Sequence, residues 1–309
     1  MSSFINAFPG TVSQGLIWGI MAIGLYITYK MLELSDLTVD GSFCTGGAVC
    51  AMMMVAGCNV WVAVLMAFVA GMLTGWVTSF FHTKLGIPAI LSGILTQLGL
   101  WSVNLAIMDM RANQALNVDN YDLLLSMRYM EKSYSIWQHP LITVGLFTVV
   151  IVAVLYWFFG TELGASIRAT GANANMARAQ GINTNMNKVI GLMLSNGLVA
   201  LSGALLAQYQ GFADINMGRG AIVIGLAAII IGDVLFSRIF RNFALKLLAV
   251  SLGAVIYYVV IQAVISLMDI NSNYLKLISA LIVALFLAIP ELRGKLTIGK
   301  RKEKGHAKN

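Results

Sequence analysis

Long apolar runs separated by short polar turns recur along most of this chain, and two longer polar stretches, 109–139 and 160–188, interrupt them. A hydrocarbon core of ~30 Å is crossed by about 20 apolar residues of helix. Runs of this kind occupy 12–29, 41–57, 60–81, 87–108, 140–159, 188–206, 219–235, 243–268 and 274–289, the Gly41 segment being short. They predict an all-α polytopic membrane protein with about eight to ten transmembrane helices. A barrel would instead show segments of about 10 residues in strict alternation. The transmembrane domain is expected over 1–290, followed by a tail, 291–309. Irregular backbone cannot face lipid, because its N–H and C=O groups would go unsatisfied. The Gly/Ala/Asn-rich stretch 160–188 is therefore expected in water at a membrane surface, where a partner can bind it.

Composition agrees with the pattern. Of 309 residues, 59% are hydrophobic and 11% charged, against about 25% charged in a soluble domain; mean hydropathy is +0.82. The net charge of +7 is concentrated at the C-terminus, where seven of the 20 basic residues follow Pro290. Nucleic-acid binding would need that basic surface on a folded domain, so anionic lipid headgroups are the expected attraction. If the tail and 160–188 are cytoplasmic, fifteen Lys and Arg lie inside, leaving Arg111, Arg128, Lys132, Arg219 and Lys276 outside. That bias obeys the positive-inside rule. Stretch 109–139 is then external, Trp137 is interfacial, and nine spans place the N-terminus outside. The N-terminal residues lack a basic n-region and cleavage site and read as mature protein. Cys44, Cys50 and Cys58 form no metal or disulfide pattern and read as small hydrophobes; the 17 methionines read as apolar filler.

Two segments echo one another. Gly41 to Ala48 and Gly220 to Ala227 both read G-x-x-x-x-G-x-A, each after an acidic turn. On the expected topology they enter from opposite sides, as in the inverted repeats of many transporters. Close helix packing is the competing explanation. Polar residues within spans are costly. Gln97, Trp101 and Asn104 form one helical stripe, with Ser92 and Thr96 alongside. Ser195 and Ser202, with Asn196 adjacent, form a second, and Tyr258, Gln262 and Ser266 a third. Each either lines a solute path or supplies interhelical hydrogen bonds worth about 0.6 kcal/mol. Glu33, Asp36 and Asp40 read either as the mouth of a broken helix or as a solvated turn with Asp40 at a helix N-terminus. Asp233 is expected beside Arg238 at the cytoplasmic interface. No phosphate loop, H-E-x-x-H pair, metal cluster or catalytic triad is present, so no enzyme activity and no bound cofactor are expected.

Within 160–188, Glu162 to Thr170 is helix-compatible, Gly171 breaks it, and residues 173–180 resume before Gly181. A short helix bracketed by glycines suits a groove on a partner, with Arg168 and Arg178 as polar anchors. The run Leu163-Gly164, Ile167-Arg168-Ala169, Gly171, Asn173, Ala177, Gly181-Ile182 resembles the coupling loop of permease subunits of ATP-binding-cassette (ABC) importers, in the branched-chain amino acid and ribose branch. Leu194 to Gly197, Ser202 to Leu205, and Leu37 to Phe43 with Gly46 to Ala48 extend the resemblance over most of the chain. The long stretch 109–139 and the acids at 33, 36 and 40 depart from that pattern. The resemblance implies a bacterial plasma-membrane importer of an amino acid or similar small polar solute. It also implies two separate ATPase subunits that use ATP and Mg, an external solute-binding protein and a second permease copy, a homodimer being expected. Coupling would run through Arg168 to Ala177. An ion-coupled secondary transporter and a non-transporting membrane scaffold are the rival readings.

Overall fold

The computed structural model describes residues 2–117, 119–130, 139–236, 239–240, 242–268 and a few isolated positions between 277 and 288. Helix α1 (Ser2–Tyr26) continues into a wider-wound turn, Ile27–Met31. Then follow α2 (Val39–Val55), α3 (Val60–Thr83), α4 (Ala89–Ile107), strand β1 (Asn113–Ala115), α5 (Pro140–Gly160), α6 (Glu162–Ala172) and α7 (Ala174–Ala179). The chain ends its described part with α8 (Thr184–Gln210), strand β2 (Phe212–Asp214), α9 (Ala221–Phe236) and α10 (Phe243–Met268).

Among the described residues six helices are long and apolar enough to cross a membrane: α1, α3, α4, α5, α8 and α10. Helices α2 and α9 are apolar but shorter, at 17 and 16 residues. At 1.5 Å per residue each spans only about 25 Å. Eight of the nine expected segments are therefore helices where the apolar runs placed them. The ninth, 274–289, falls mostly outside the described residues, as do the tail 291–309, Lys132, Trp137, Arg238, Arg241 and Lys276.

Burial separates an inner from an outer layer. In α1 and α8, 78% of the apolar window is buried, against 28–33% in α3, α4, α5 and α10. The outer helices turn Leu65, Leu73, Leu95, Leu146 and Val154 outward, as a lipid-facing surface requires. Helix α8 packs against α1, α2 and α3, and α10 packs against α1 and α9. Close approach depends on glycine. A Cβ on Gly46 of α2 would strike the Ala200 carbonyl of α8, and one on Gly203 of α8 would strike the Phe43 carbonyl of α2. In the echoed segment, Gly225 of α9 lies against Met21 and Leu25 of α1.

Among the described residues the all-α expectation holds apart from one two-stranded ribbon, in which β1 pairs antiparallel with β2. That ribbon also shows that 109–139 is more than a connection. Leu116, Leu123, Leu125 and Tyr129 are buried, and the Leu124 N–H donates to Gln208 Oε1 at 3.0 Å. The described residues between 113 and 130 fold down over the C-terminal end of α8.

Candidate functional site

Between the wide turn Ile27–Met31 and α2, residues 32–38 do not continue as helix. They run back along α8: Leu32 touches Gly191, and Asp36 reaches Asn196. Asn196 is twelve residues past Thr184, about 18 Å along a helix of ~40 Å. Helix α2 therefore begins half-way along α8. Residues 211–220 make the opposite journey from the other end of α8. Cys44 Sγ donates to the carbonyls of Asp214 and Ile215. Farther on, Asp40 accepts hydrogen bonds from the N–H groups of Gly220 and Ile222, both at 3.0 Å. The N-termini of α2 and α9 thus meet in the interior, with Asp40 of the first capping the second. A carboxylate there is favoured by the helix dipole and satisfies donors that lack partners in the helix.

Broken backbone inside a membrane domain is tolerated only where protein re-satisfies it or where it lines a cavity. Both conditions are met here. Asn196 is the hub: its Nδ2 donates to Asp36 Oδ2 at 2.7 Å and to the Leu192 carbonyl at 3.0 Å, and its Oδ1 accepts from Ser42 Oγ at 2.6 Å. Ser42 also bonds Thr74 of α3, and Thr38 bonds Thr78, each at 2.7 Å. The Thr38 N–H donates to Asp36 Oδ1 at 2.9 Å. Asp36 is 2% exposed. The solvated-turn reading of these acids is corrected: Asp36 and Asp40 hold the junction together, and Glu33 alone is exposed, in a left-handed conformation with φ 53°. Asn196 appeared in the sequence only as the neighbour of Ser195, because a single polar residue on a helix does not reveal which loop it will meet.

Beside the junction lies a pocket of about 310 Å³ lined by Asp40, Gln97, Trp101, Asn104 and Arg219, among others. The stripe expected on the fourth span therefore faces one cavity. Its members differ in role. Asn104 is buried and bonded to Thr45 Oγ1 and the Gly41 carbonyl, so it ties α4 to α2. Gln97 is half-buried and Trp101 is 47% exposed. The other expected path residues lie elsewhere. Ser195 and Ser202 are fully buried, and their hydroxyls donate to the carbonyls of Gly24 and Ile17 of α1, both at 2.7 Å. The Tyr258 ring lies 5.9 Å from Trp18, and Gln262 is half-buried on α10. Asp233 pairs with Lys30 at 3.1 Å; Arg238, its expected neighbour, is outside the described residues. Among the described residues no cluster of His, Cys, Asp and Glu could hold a metal ion.

The stretch 160–188 forms an elbow of two short helices at the end of the bundle where α1 finishes and α8 begins. Thr161 caps α6 through Gly164 N–H, and Asn173 caps α7 through the N–H groups of Asn175 and Met176. Gly181, at φ 78°, closes the segment. One face of the elbow is fixed to the membrane domain. Ile167 is fully buried. Asn187 of α8 donates to Thr170 Oγ1 at 2.7 Å and accepts from Ser166 Oγ at 3.1 Å. Gly164 packs on the backbone of Phe158 and Phe159, and Gly171 lies against the Met31 carbonyl with no room for a Cβ. Ala177 is also buried, at 4% exposure. Of the residues expected to couple, Gly164, Gly171 and Ala177 thus face inward, whereas Arg168 and Ala169 are exposed. Leu163 and Met176, at 55% and 64% exposure, are apolar side chains presented to water that the Gly/Ala-rich composition concealed. Arg178 is partly tied back, its Nε donating to Thr184 Oγ1 at 2.9 Å.

Comparison with known proteins bears on both regions. Residues 9–289 match the model of a family described as the permease component of the branched-chain amino acid transport system. A tyrosine transport system permease protein of Clostridioides difficile is 38% identical over 298 residues, 96% of this chain and 95% of that protein. An uncharacterized protein of Rickettsia prowazekii is 35% identical over 92% of this chain and 98% of its own length. The autoinducer 2 import system permease protein of Yersinia pestis is 25% identical over 74% of this chain and 63% of that protein. No solved structure matches.

Proposed function

Because the chain belongs to the branched-chain amino acid permease family, and so is the membrane subunit of an ABC importer with no ATPase activity of its own, we propose that it carries an amino acid. The relative whose name specifies tyrosine matches nearly the whole chain, which supports an aromatic or similar amino acid as solute. ATP and Mg are then used by a separate ATPase subunit, and an external binding protein delivers the solute. A second copy of the chain completes the membrane domain. On this reading 160–188 and the basic tail 291–309 face the cytoplasm and the cap 109–139 faces outward, over a transmembrane domain of 1–290.

The observation that carries the coupling role is the two-faced elbow. Its inner face is joined to α8 through Asn187, buries Ile167 and rests on the end of α1 through Gly171. Its outer face offers Leu163, Arg168, Ala169 and Met176. An exposed apolar knob beside an arginine suits a groove on a soluble partner. Movement of the ATPase would reach α1 and α8 together and change access at the α2–α9 junction. The echoed helices support an inverted repeat: each starts inside the bundle, and the second glycine of each echo, Gly46 or Gly225, packs on a long helix, α8 or α1. The ion-coupled alternative needs a free intramembrane acid, whereas Asp36 and Asp40 are committed to structural bonds.

The test is copurification of the ATPase with full-length chain carrying Met176→Glu or Arg168→Glu. Either substitution lies on an exposed side chain and should reduce copurified ATPase at least tenfold with chain abundance unchanged. Undiminished ATPase with both variants would overturn the docking role. Gly171→Trp is unsuitable, because it would disrupt the packing against Met31 rather than the docking face.

A further inference from the structure

Arg219 immediately precedes Gly220, whose N–H is bonded to Asp40 at the junction. Arg219 lines the 310 Å³ pocket with Gln97 and Trp101, and among the described residues it forms no ion pair. Among the described residues the Asp40 carboxylate is not ion-paired with it and accepts from the N–H groups of Gly220 and Ile222. Arg219 is an exposed residue, and a cation on a membrane domain must meet water or an anion rather than lipid. Gln97 and Arg219 cannot face hydrocarbon, so this pocket must open to water or to a second copy across a water-filled path. The volume lies at the lower end of the roughly 300–1,000 Å³ typical of small-molecule sites.

Resting on the amino-acid reading above, we propose that this pocket is a transient binding site for the α-carboxylate of the transported amino acid, with Arg219 as its receptor. A guanidinium holds a carboxylate through two parallel hydrogen bonds. The Gln97 amide oxygen is placed to accept from the ammonium group, and the exposed face of Trp101 gives the side chain an apolar surface that tolerates rings and aliphatic chains alike. The permease then reads the part common to all amino acids, and the side chain is only loosely discriminated at this point.

The experiment uses the whole importer, the full chain with its copurifying subunits, in proteoliposomes supplied with ATP. L-tyrosine and a panel of other L-amino acids are the probes, with tyramine as the analogue lacking the carboxylate. Arg219→Gln should lower amino-acid uptake at least tenfold, and Arg219→Lys should fall between, keeping the charge without the fork. Uptake by Arg219→Gln within twofold of wild type would overturn this inference while leaving the importer reading intact. Import of no amino acid by the wild type would overturn both. A second measurement does not depend on the variant's transport. Gln97→Cys on a Cys58→Ala background, with Cys44 and Cys50 buried, is labelled by a thiol reagent. L-tyrosine should slow that labelling at least threefold and tyramine should not. Equal protection by both, or by neither, counts against the carboxylate site.

Discussion

Residues 32–38 and 211–220 on one side, and 160–188 on the other, are all interruptions of apolar helix, and they meet opposite surroundings. The first two are folded into the bundle, where water cannot satisfy the broken backbone. Asp36, Asp40 and Asn196 take that role, every one with named partners. The third lies outside and restores its own hydrogen bonding by forming two short capped helices, leaving Leu163, Arg168 and Met176 free to be touched. Interior irregularity spends polar side chains on structure, whereas surface irregularity leaves them for partners. An acidic residue in such a chain is thus no better guide to function than the environment that receives it.

The contrast can be broken most severely at the helix contacts that bring α2 to α8. Gly46→Leu places a branched side chain on the Ala200 carbonyl, and overpacking of this kind costs ~1–3 kcal/mol or more. Little folded protein should be recovered, measured by monodisperse yield in mild detergent. Asn196→Leu is the next in size. It leaves Asp36 Oδ2 and the Ser42 hydroxyl short of a partner, at about 1–3 kcal/mol for each stranded group. Thermal unfolding in detergent should shift clearly downward, by more than for any surface variant of the elbow. A melting point equal to wild type would show that the junction is not held through Asn196.

Smaller effects sharpen the same boundary. Ser202→Ala removes one bond to the Ile17 carbonyl and should cost about 0.6 kcal/mol, with uptake unchanged, since the hydroxyl is fully buried and bonded to α1. Labelling of native protein with a bulky thiol reagent should modify Cys58 alone, because Cys44 and Cys50 are buried; mass spectrometry would find one adduct per chain.

The spans were legible because the length and polarity of an apolar run suffice to predict a membrane helix. Even the two short helices were visible, through the glycines at 41 and 220. Their starting depth was not, because it depends on Asp36 meeting Asn196 and Asp40 meeting Gly220 across more than 150 residues of chain. The stripe of Gln97, Trp101 and Asn104 was legible as a helical period, but which member is buried and bonded and which lines open space is decided by α2. In 160–188 the caps and breaks followed from Thr161, Asn173 and Gly181. The exposed face did not, because glycine and alanine give little contrast between inner and outer faces, and the informative side chains are Leu163 and Met176.

The contact of Gly171 with the Met31 carbonyl has a mechanical consequence. Asp40 is only nine positions past Met31, a tether that could stretch to no more than about 30 Å even if fully extended. Its slack is already reduced, since Leu32 and Leu34 are bonded back to Ile27 and Thr28 and Asp36 is held by Asn196. The proposed push on the elbow would therefore have only a short stretch of chain to cross to the residue that joins the two half-length helices. A stroke of a few ångströms at the membrane surface need not be relayed through a whole bundle, because the chain itself is the linkage.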